Sequence, residues 1–140
     1  MRRYLLDTNI LVFLILGKNE EVSRNVLEVL EDFNNEICTS SICVAELLQL
    51  FRIGKIKLSS YRTLNEIQST IGEKFYIKVL PFSNEHTETF SKLEIYKGHN
   101  DPFDHMIISH AITEKLCLIS SDKMFSNYSN QKLDFICNKR

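Results

Sequence analysis

The chain has 140 residues, 44% of them hydrophobic and 25% charged, which excludes a disordered or collagen-like polymer and leaves room for one domain with its own core. With 17 basic against 18 acidic side chains the formal charge is −1, so any contact with nucleic acid has to come from a local basic patch. The 4 glycines, Gly17, Gly54, Gly72 and Gly98, are isolated from one another; this excludes a GxGxxG dinucleotide turn and a GxxxxGK[ST] phosphate loop, and no GxSxG elbow is present. Carboxylates remain as the main chemical resource.

Met1-Arg2-Arg3 followed by the apolar run from Ile10 to Leu16 imitates a leader peptide. Asp7, Thr8 and Asn9 interrupt it, no A-x-A site follows, and the run is far below the roughly 20 residues needed to cross a bilayer. No membrane segment is expected. Tyr4-Leu5-Leu6 reads as a buried strand closed by a polar turn. Helices are predicted over residues 9–16 and 20–33, the second from the spacing of Val22, Val26, Leu27, Val29, Leu30 and Phe33. A strand is expected over residues 36–39, then a helix capped by Ser40 or Ser41 and running to about Ile53, where Gly54 stops it. Residues 58–71 form the next predicted helix, and residues 75–80 a strand closed by Pro81. Ser83 suits the cap of a helix to about Tyr96. Asp101-Pro102 suits the start of another reaching about Lys115, with Asp as N-cap and Pro in the first turn. Strands are predicted at residues 117–120 and 133–137. Short apolar strands alternating with helices indicate an α/β fold with a parallel sheet covered on both faces. The cysteines, Cys38, Cys43, Cys117 and Cys137, lie among apolar residues without C-x-x-C spacing; they read as reduced core thiols, which fits the cytoplasm.

In open α/β sheets ligands bind beyond the carboxyl ends of the strands. Asp7 ends the first strand and Asp122 follows the strand at 117–120, so both face the same edge if the strands are parallel. Each also has an ordinary role available as a helix or turn cap. Glu46 sits on a mostly apolar helical stripe with Ile42, Cys43 and Leu50, where an unpaired carboxylate is costly to bury, so it either pairs, reaches solvent or serves a site. Asp101 and Asp104 share the first turn of their helix, where capping and the helix dipole also suit them. Converging carboxylates would repel and raise one another's pKa unless a hard divalent cation held them, and an all-oxygen set fits Mg²⁺ or Mn²⁺ better than Zn²⁺.

Four stretches together resemble the PIN-domain family of nucleases and, more narrowly, the VapC toxins of bacterial type II toxin–antitoxin systems. They are Tyr4-Leu5-Leu6-Asp7-Thr8-Asn9-Ile10-Leu11, Thr39-Ser40-Ser41-Ile42-Cys43-Val44-Ala45-Glu46-Leu47-Leu48, Asp101-Pro102-Phe103-Asp104-His105-Met106-Ile107-Ile108 and Leu118-Ile119-Ser120-Ser121-Asp122-Lys123-Met124-Phe125. The resemblance implies a three-layer α/β/α sandwich over residues 1–140 and metal-dependent cleavage of single-stranded or structured RNA. It also implies an acidic quartet, which falls on Asp7, Glu46, Asp104 and Asp122, with Asp101 as an outer ligand or only an N-cap and Thr8, Asn9 and Ser120 in support. A cognate antitoxin and a homodimer, packed through the helix after the second strand, are implied as partners. Two positions depart from the family's pattern: His105 and Ser121 stand where many relatives carry Arg, which removes positive charge beside the expected phosphate path. His105 reads as a surface or supporting residue rather than a metal ligand.

Arg52, Lys55, Lys57 and Arg62 offer a basic patch for the RNA backbone, or an ordinary solvated face. Tyr61, Phe75 and Tyr76 are candidates for base stacking or for the core. The expected mechanism is in-line attack of a water on a phosphodiester, with metal held by Asp7, Asp104 and Asp122 and assisted by Glu46. Alternatives are a non-toxin PIN nuclease in RNA processing and a non-catalytic binding module whose carboxylates only cap helices. A receiver-like signalling domain fits the chain order poorly, and a haloacid-type phosphatase lacks its second Asp, residue 9 being Asn.

Overall fold

The computed structural model describes residues 1–57 and 63–139. Five parallel strands, β1 (Arg3–Leu6), β2 (Glu36–Ser40), β3 (Lys78–Leu80), β4 (Cys117–Ser120) and β5 (Asp134–Cys137), form one sheet in the order β3-β2-β1-β4-β5. Six α-helices connect them among the described residues: α1 (Thr8–Ile15), α2 (Arg24–Glu31), α3 (Ser41–Arg52), α4 (Leu64–Glu73), α5 (Asn84–Lys92) and α6 (Pro102–Glu114). In β1 the side chains of Tyr4, Leu5 and Leu6 alternate between faces, yet all are buried, and β4 is buried throughout. Helices therefore cover both faces of the sheet, the arrangement a parallel sheet requires. No helix among the described residues is long and apolar enough to cross a membrane.

The chain winds outward from β1 to β2 and β3, then returns to lay β4 on the other side of β1. The direction of winding reverses between β1 and β4, and a crevice opens at the carboxyl ends of strands at such a point. Leu5 pairs with Leu118 across this junction, and the Asp7 N–H donates to the Ile119 carbonyl at 3.0 Å. The end of β1 and the end of β4 are thus held side by side.

Helix starts follow the caps expected from sequence. Ser40 accepts from the Ile42 N–H, and Asp101, with Pro102 next to it, accepts from the Phe103 N–H. Three element boundaries differ from the sequence reading. The helix expected over residues 20–33 is broken into a 3-10 turn (Asn19–Glu21) and α2, with extended backbone at Val22 and Ser23. The break is pinned from the far end of the chain: Asn138 accepts from the Ser23 N–H at 2.6 Å and donates to the Glu21 carbonyl at 2.9 Å. The strand expected over residues 75–80 shrinks to β3, because Tyr76 takes a left-handed conformation (φ 55°) and strand pairing cannot pass through it. The helix expected to reach Tyr96 stops at Lys92. Glu94 instead exchanges two hydrogen bonds with the Gln131 amide, each 2.9 Å. Gln131 closes a 3-10 segment, Lys123–Gln131, that the sequence reading left without structure and that buries Phe125 and Tyr128 completely. The start of the helix expected over residues 58–71 lies outside the described residues.

Cys38, Cys43 and Cys117 are buried free thiols, as expected, whereas Cys137 is only half-buried.

Candidate active site

A cleft of about 390 Å³ opens at the β1/β4 junction, lined by Asp7, Thr8, Asn9, Glu46, Asp101, Asp104 and Asp122 above an apolar floor of Val12, Phe13, Leu50 and Ile56. All five carboxylates singled out from the sequence border this one cavity. Asp7 arrives from the end of β1, Glu46 from the middle of α3, Asp101 and Asp104 from the start of α6, and Asp122 from the turn after β4.

Asp7 is 5% exposed. Its Oδ1 accepts from the Thr8 N–H at 2.8 Å. Its Oδ2 accepts from the Ser120 hydroxyl at 2.7 Å and from the Asn9 amide at 3.2 Å. Burial pushes the Asp7 carboxyl up to about 6; the bonds from Ser120 and Thr8 oppose the rise, and the nearby charges of Asp104 and Asp122 add to it. Asn9 and Ser120 knit the two strand ends together. The Asn9 amide donates to Ser120 Oγ at 3.0 Å and accepts from the Ser121 N–H at 3.1 Å, and Ser120 Oγ accepts from the Asp122 N–H at 3.1 Å. Thr8, Asn9 and Ser120, the residues expected in support, thus all hydrogen-bond to Asp7, and Thr8 also reaches Glu46.

Glu46 accepts from the Thr8 hydroxyl at 3.0 Å. Burial holds its carboxyl above the usual range, Thr8 lowers it in part, and Asp7, Asp104 and Asp101 raise it further. Asp104 is raised by burial first, with the His99 hydrogen bond acting against it. Asp101 and Asp122 both cap their own turns, accepting from the Phe103 and Met124 N–H groups at 2.9 Å. Capping and lining the cleft are therefore not exclusive roles.

One supporting residue escaped the sequence reading. His99 Nε2 lies 2.9 Å from Asp104 Oδ2, and its Nδ1 lies 2.7 Å from the Tyr128 hydroxyl. Tyr128 accepts from the Tyr96 N–H, so its own proton points to His99 Nδ1. His99 then carries its proton on Nε2 and donates it to Asp104. The sequence signal was slight: a histidine five positions before an aspartate, in a loop. His105, expected as a surface or supporting side chain, is buried and donates from Nε2 to the His99 carbonyl at 2.8 Å. It supports the loop that carries His99 and does not line the cleft.

Arg52, Lys55 and Lys57 are exposed, and their chain neighbours Leu50 and Ile56 line the cleft; Arg62 and Tyr61 lie outside the described residues. Phe75 is half-buried against the core and Tyr76 is exposed, but neither borders the cleft. A second, more apolar groove of about 570 Å³ runs along α3 between Ile42, Leu48, Arg52 and Phe103, and it shares Glu46 and Leu50 with the first. The cleft's donor set is wholly oxygen: carboxylates, one hydroxyl and one amide. Such a set suits Mg²⁺ or Mn²⁺; burial first, and the neighbouring carboxylates after it, raise Asp7, Glu46 and Asp104, and a cation would offset both effects on the charged forms.

The family model described as PIN domain matches residues 4–131. A curated relative, Ribonuclease VapC2 of Haemophilus influenzae, is 30% identical over 132 residues, 87% of this chain and 88% of the relative. Among solved structures, VapBC2 from Rickettsia felis bound to a promoter DNA fragment superposes with a TM-score of 0.68 at 24% identity, covering 98% of this chain and 99% of the other. DNA-bound VapBC from Salmonella typhimurium gives 0.65 at 18% identity, covering 98% of each chain. The structural likenesses establish a common α/β/α architecture.

Proposed function

The chain belongs to the PIN-domain family, and from that premise we propose that it is an Mg²⁺- or Mn²⁺-dependent endoribonuclease acting as the toxin of a toxin–antitoxin pair. The observation that carries this reading is the meeting of Asp7, Glu46, Asp104 and Asp122, delivered by four separate segments, in one cleft at the switch point of the sheet. Caps alone would have no reason to converge. Asp7, Asp104 and Asp122, with Glu46 assisting, would hold the cation, and Asp101 would lie outside them as the cap of α6. A bound divalent cation supplies Lewis acidity: it lowers the pKa of a water and offsets the charge that builds on a phosphodiester.

The remaining work falls to the protein. Ser120 and Asn9 fix Oδ2 of Asp7 toward the end of β4, and the Thr8 N–H fixes Oδ1. Thr8 fixes Glu46, and His99 fixes Asp104. Rigid carboxylates set the line of attack on phosphorus, and positioning of that kind is a large part of catalysis. Arg52, Lys55 and Lys57 would take the RNA backbone along the rim nearest Ile56; Arg62, expected to share that role, lies outside the described residues. The apolar groove on α3 offers a surface for a second copy of the chain. The cognate antitoxin is expected to cover the acidic cleft, because its like charges leave it with unmatched negative potential. Free buried thiols suit the reducing cytoplasm.

The test is cleavage of single-stranded RNA by the purified chain with Mn²⁺, with EDTA, and with Asp7→Asn. Activity that needs the ion and disappears in the variant supports the reading; activity that survives in Asp7→Asn overturns the assignment. Growth arrest on expression, relieved by a neighbouring gene product, separates a toxin from a nuclease of RNA processing.

A further inference from the structure

Away from the carboxylate cleft, α5 and α6 bring together His86, His110 and Glu114. One donor atom from each lies within 4.8 Å of the other two. His110 and Glu114 stand four residues apart on α6 and so share a face, and His86 faces them from the first turn of α5. Both histidines are buried, at 2% and 0% exposure, whereas the Glu114 side chain is 33% exposed. The two imidazole rings lie 3.9 Å apart between centroids, and Phe82 packs against both at 5.4 and 5.8 Å.

His110 is the anomaly. Its Nδ1 is bonded to Ser40 Oγ at 2.9 Å, but its Nε2 has neither solvent nor a hydrogen-bond partner among the described residues. Buried polar atoms rarely stay unpaired, since the desolvation is then uncompensated. Burial and the adjacent His86 push the His110 ring down to about 4, so it is neutral at physiological pH and protonation does not resolve the orphan. A neutral imidazole with one nitrogen held and the other bare is the form in which histidine ligates metal.

We propose that His86, His110 and Glu114 form a second metal site, selective for Zn²⁺, which clamps α5 to α6 and is separate from the acidic cleft. Two imidazole nitrogens and one carboxylate favour Zn²⁺ over Mg²⁺, in contrast to the all-oxygen cleft. None of the three residues lines that cleft. The fourth position falls to water, which enters on the side of Glu114, the one ligand that reaches solvent.

Tetrahedral Zn²⁺ with bonds near 2.0–2.1 Å separates its donor atoms by about 3.4 Å. His86 Nε2 and Glu114 Oε1 are already 3.0 Å apart, so closure falls mainly to the His110 ring. The proton balance is local. In the metal-free site His86 Nδ1 accepts from the Ser83 N–H at 2.8 Å, so Nε2 carries the proton that bridges to Glu114. On binding, Nε2 gives up that proton and Nδ1 takes one, donating it to Ser83 Oγ at 3.0 Å; the Ser83 N–H turns to solvent at the exposed helix start. In the bound form His110 carries its proton on Nδ1, donating to Ser40 Oγ, and offers Nε2. The cation replaces one bridging proton and satisfies the one orphan.

Titration of the full chain with Co²⁺ as a spectroscopic stand-in, followed by Zn²⁺ competition and thermal unfolding, tests the site. The expected result is the visible absorption of four-coordinate Co²⁺ at one equivalent, bleached by Zn²⁺ and untouched by excess Mg²⁺. A rise in melting temperature of roughly 5–10 °C is expected at a hundredfold excess of Zn²⁺ over its dissociation constant. Glu114→Gln can keep the hydrogen bond from His86 and so the fold, but loses the carboxylate ligand; it should weaken Co²⁺ by more than about 100-fold, since even outer partners of a metal ligand are worth 10–100-fold. Asp7→Asn should keep the signal in full. Absence of the Co²⁺ band in the wild-type protein overturns the proposal. So does a band that persists in Glu114→Gln and disappears in Asp7→Asn, which would put the ion in the acidic cleft.

Discussion

At Asp7 two demands conflict. To hold a cation as proposed, the carboxylate must be charged, yet it sits 5% exposed at the end of the central strand, with its carboxyl raised to about 6. A carboxyl raised in the fold above its ordinary 3.8 binds its proton more tightly folded than unfolded. That contribution to stability is fully present below pH 3.8 and is lost as pH rises through about 6. The metal-free protein should therefore melt at lower temperature at pH 7 than at pH 5, and Mn²⁺ should remove most of the difference; calorimetry in chelator and in Mn²⁺ reads it. For the same reason Asp7→Asn should abolish cleavage while raising metal-free stability at pH 7 by about 1–2 kcal/mol, short of the roughly 3 kcal/mol the shift would imply because the amide's NH₂ meets donors. His99 gives the second residue-scale test. His99→Leu removes the donor to Asp104 and should weaken Mn²⁺ binding by about 10–100-fold, whereas His99→Gln, which keeps a donor, should recover part of the loss in a calorimetric titration. A purely structural role would lower stability without this split between the two variants.

Elements here end where distant residues make them end. Residues 20–33 carry a continuous helical pattern, yet the helix breaks at Val22 and Ser23 because the Asn138 amide takes the Ser23 N–H, the Glu21 carbonyl and the Ser121 hydroxyl together. Asn138→Ala leaves those partners facing a buried site and should cost about 2–4 kcal/mol in denaturant unfolding, unlike an exposed loop asparagine. The start of α6 shows the opposite case, in which local chemistry suffices. Asp101 caps it and Pro102 opens it, as Asp-Pro predicts. Asp101→Ala should cost about 1 kcal/mol of stability and Asp101→Asn only a few tenths, because asparagine also caps well.

For the whole molecule the formal charge is −1, and the cleft itself is acidic, so on the proposed function RNA would be drawn in along one basic rim. Replacing Arg52, Lys55 and Lys57 together by alanine should reduce the dependence of log Kd on log salt by about 2, at roughly 0.7 per phosphate contact on a single strand. Binding measured from low to moderate salt checks this; an unchanged slope would assign the patch to ordinary solvation.

The amino-acid sequence by itself determined the alternation of strands and helices, the parallel sheet and the five acidic positions. These follow from local signals: apolar runs too short for anything but strands, capping residues, and carboxylates where apolar periodicity calls for none. Tertiary structure decided what needs residues far apart in the chain. It fixed the sheet order β3-β2-β1-β4-β5, which sets the end of β1 beside the end of β4 and so makes one cleft of Asp7 and Asp122. It fixed the link from Tyr128 through His99 to Asp104, and the unpaired nitrogen of His110 between α5 and α6. A histidine's role depends on which groups its two nitrogens meet, and neither spacing nor hydropathy along the chain carries that information.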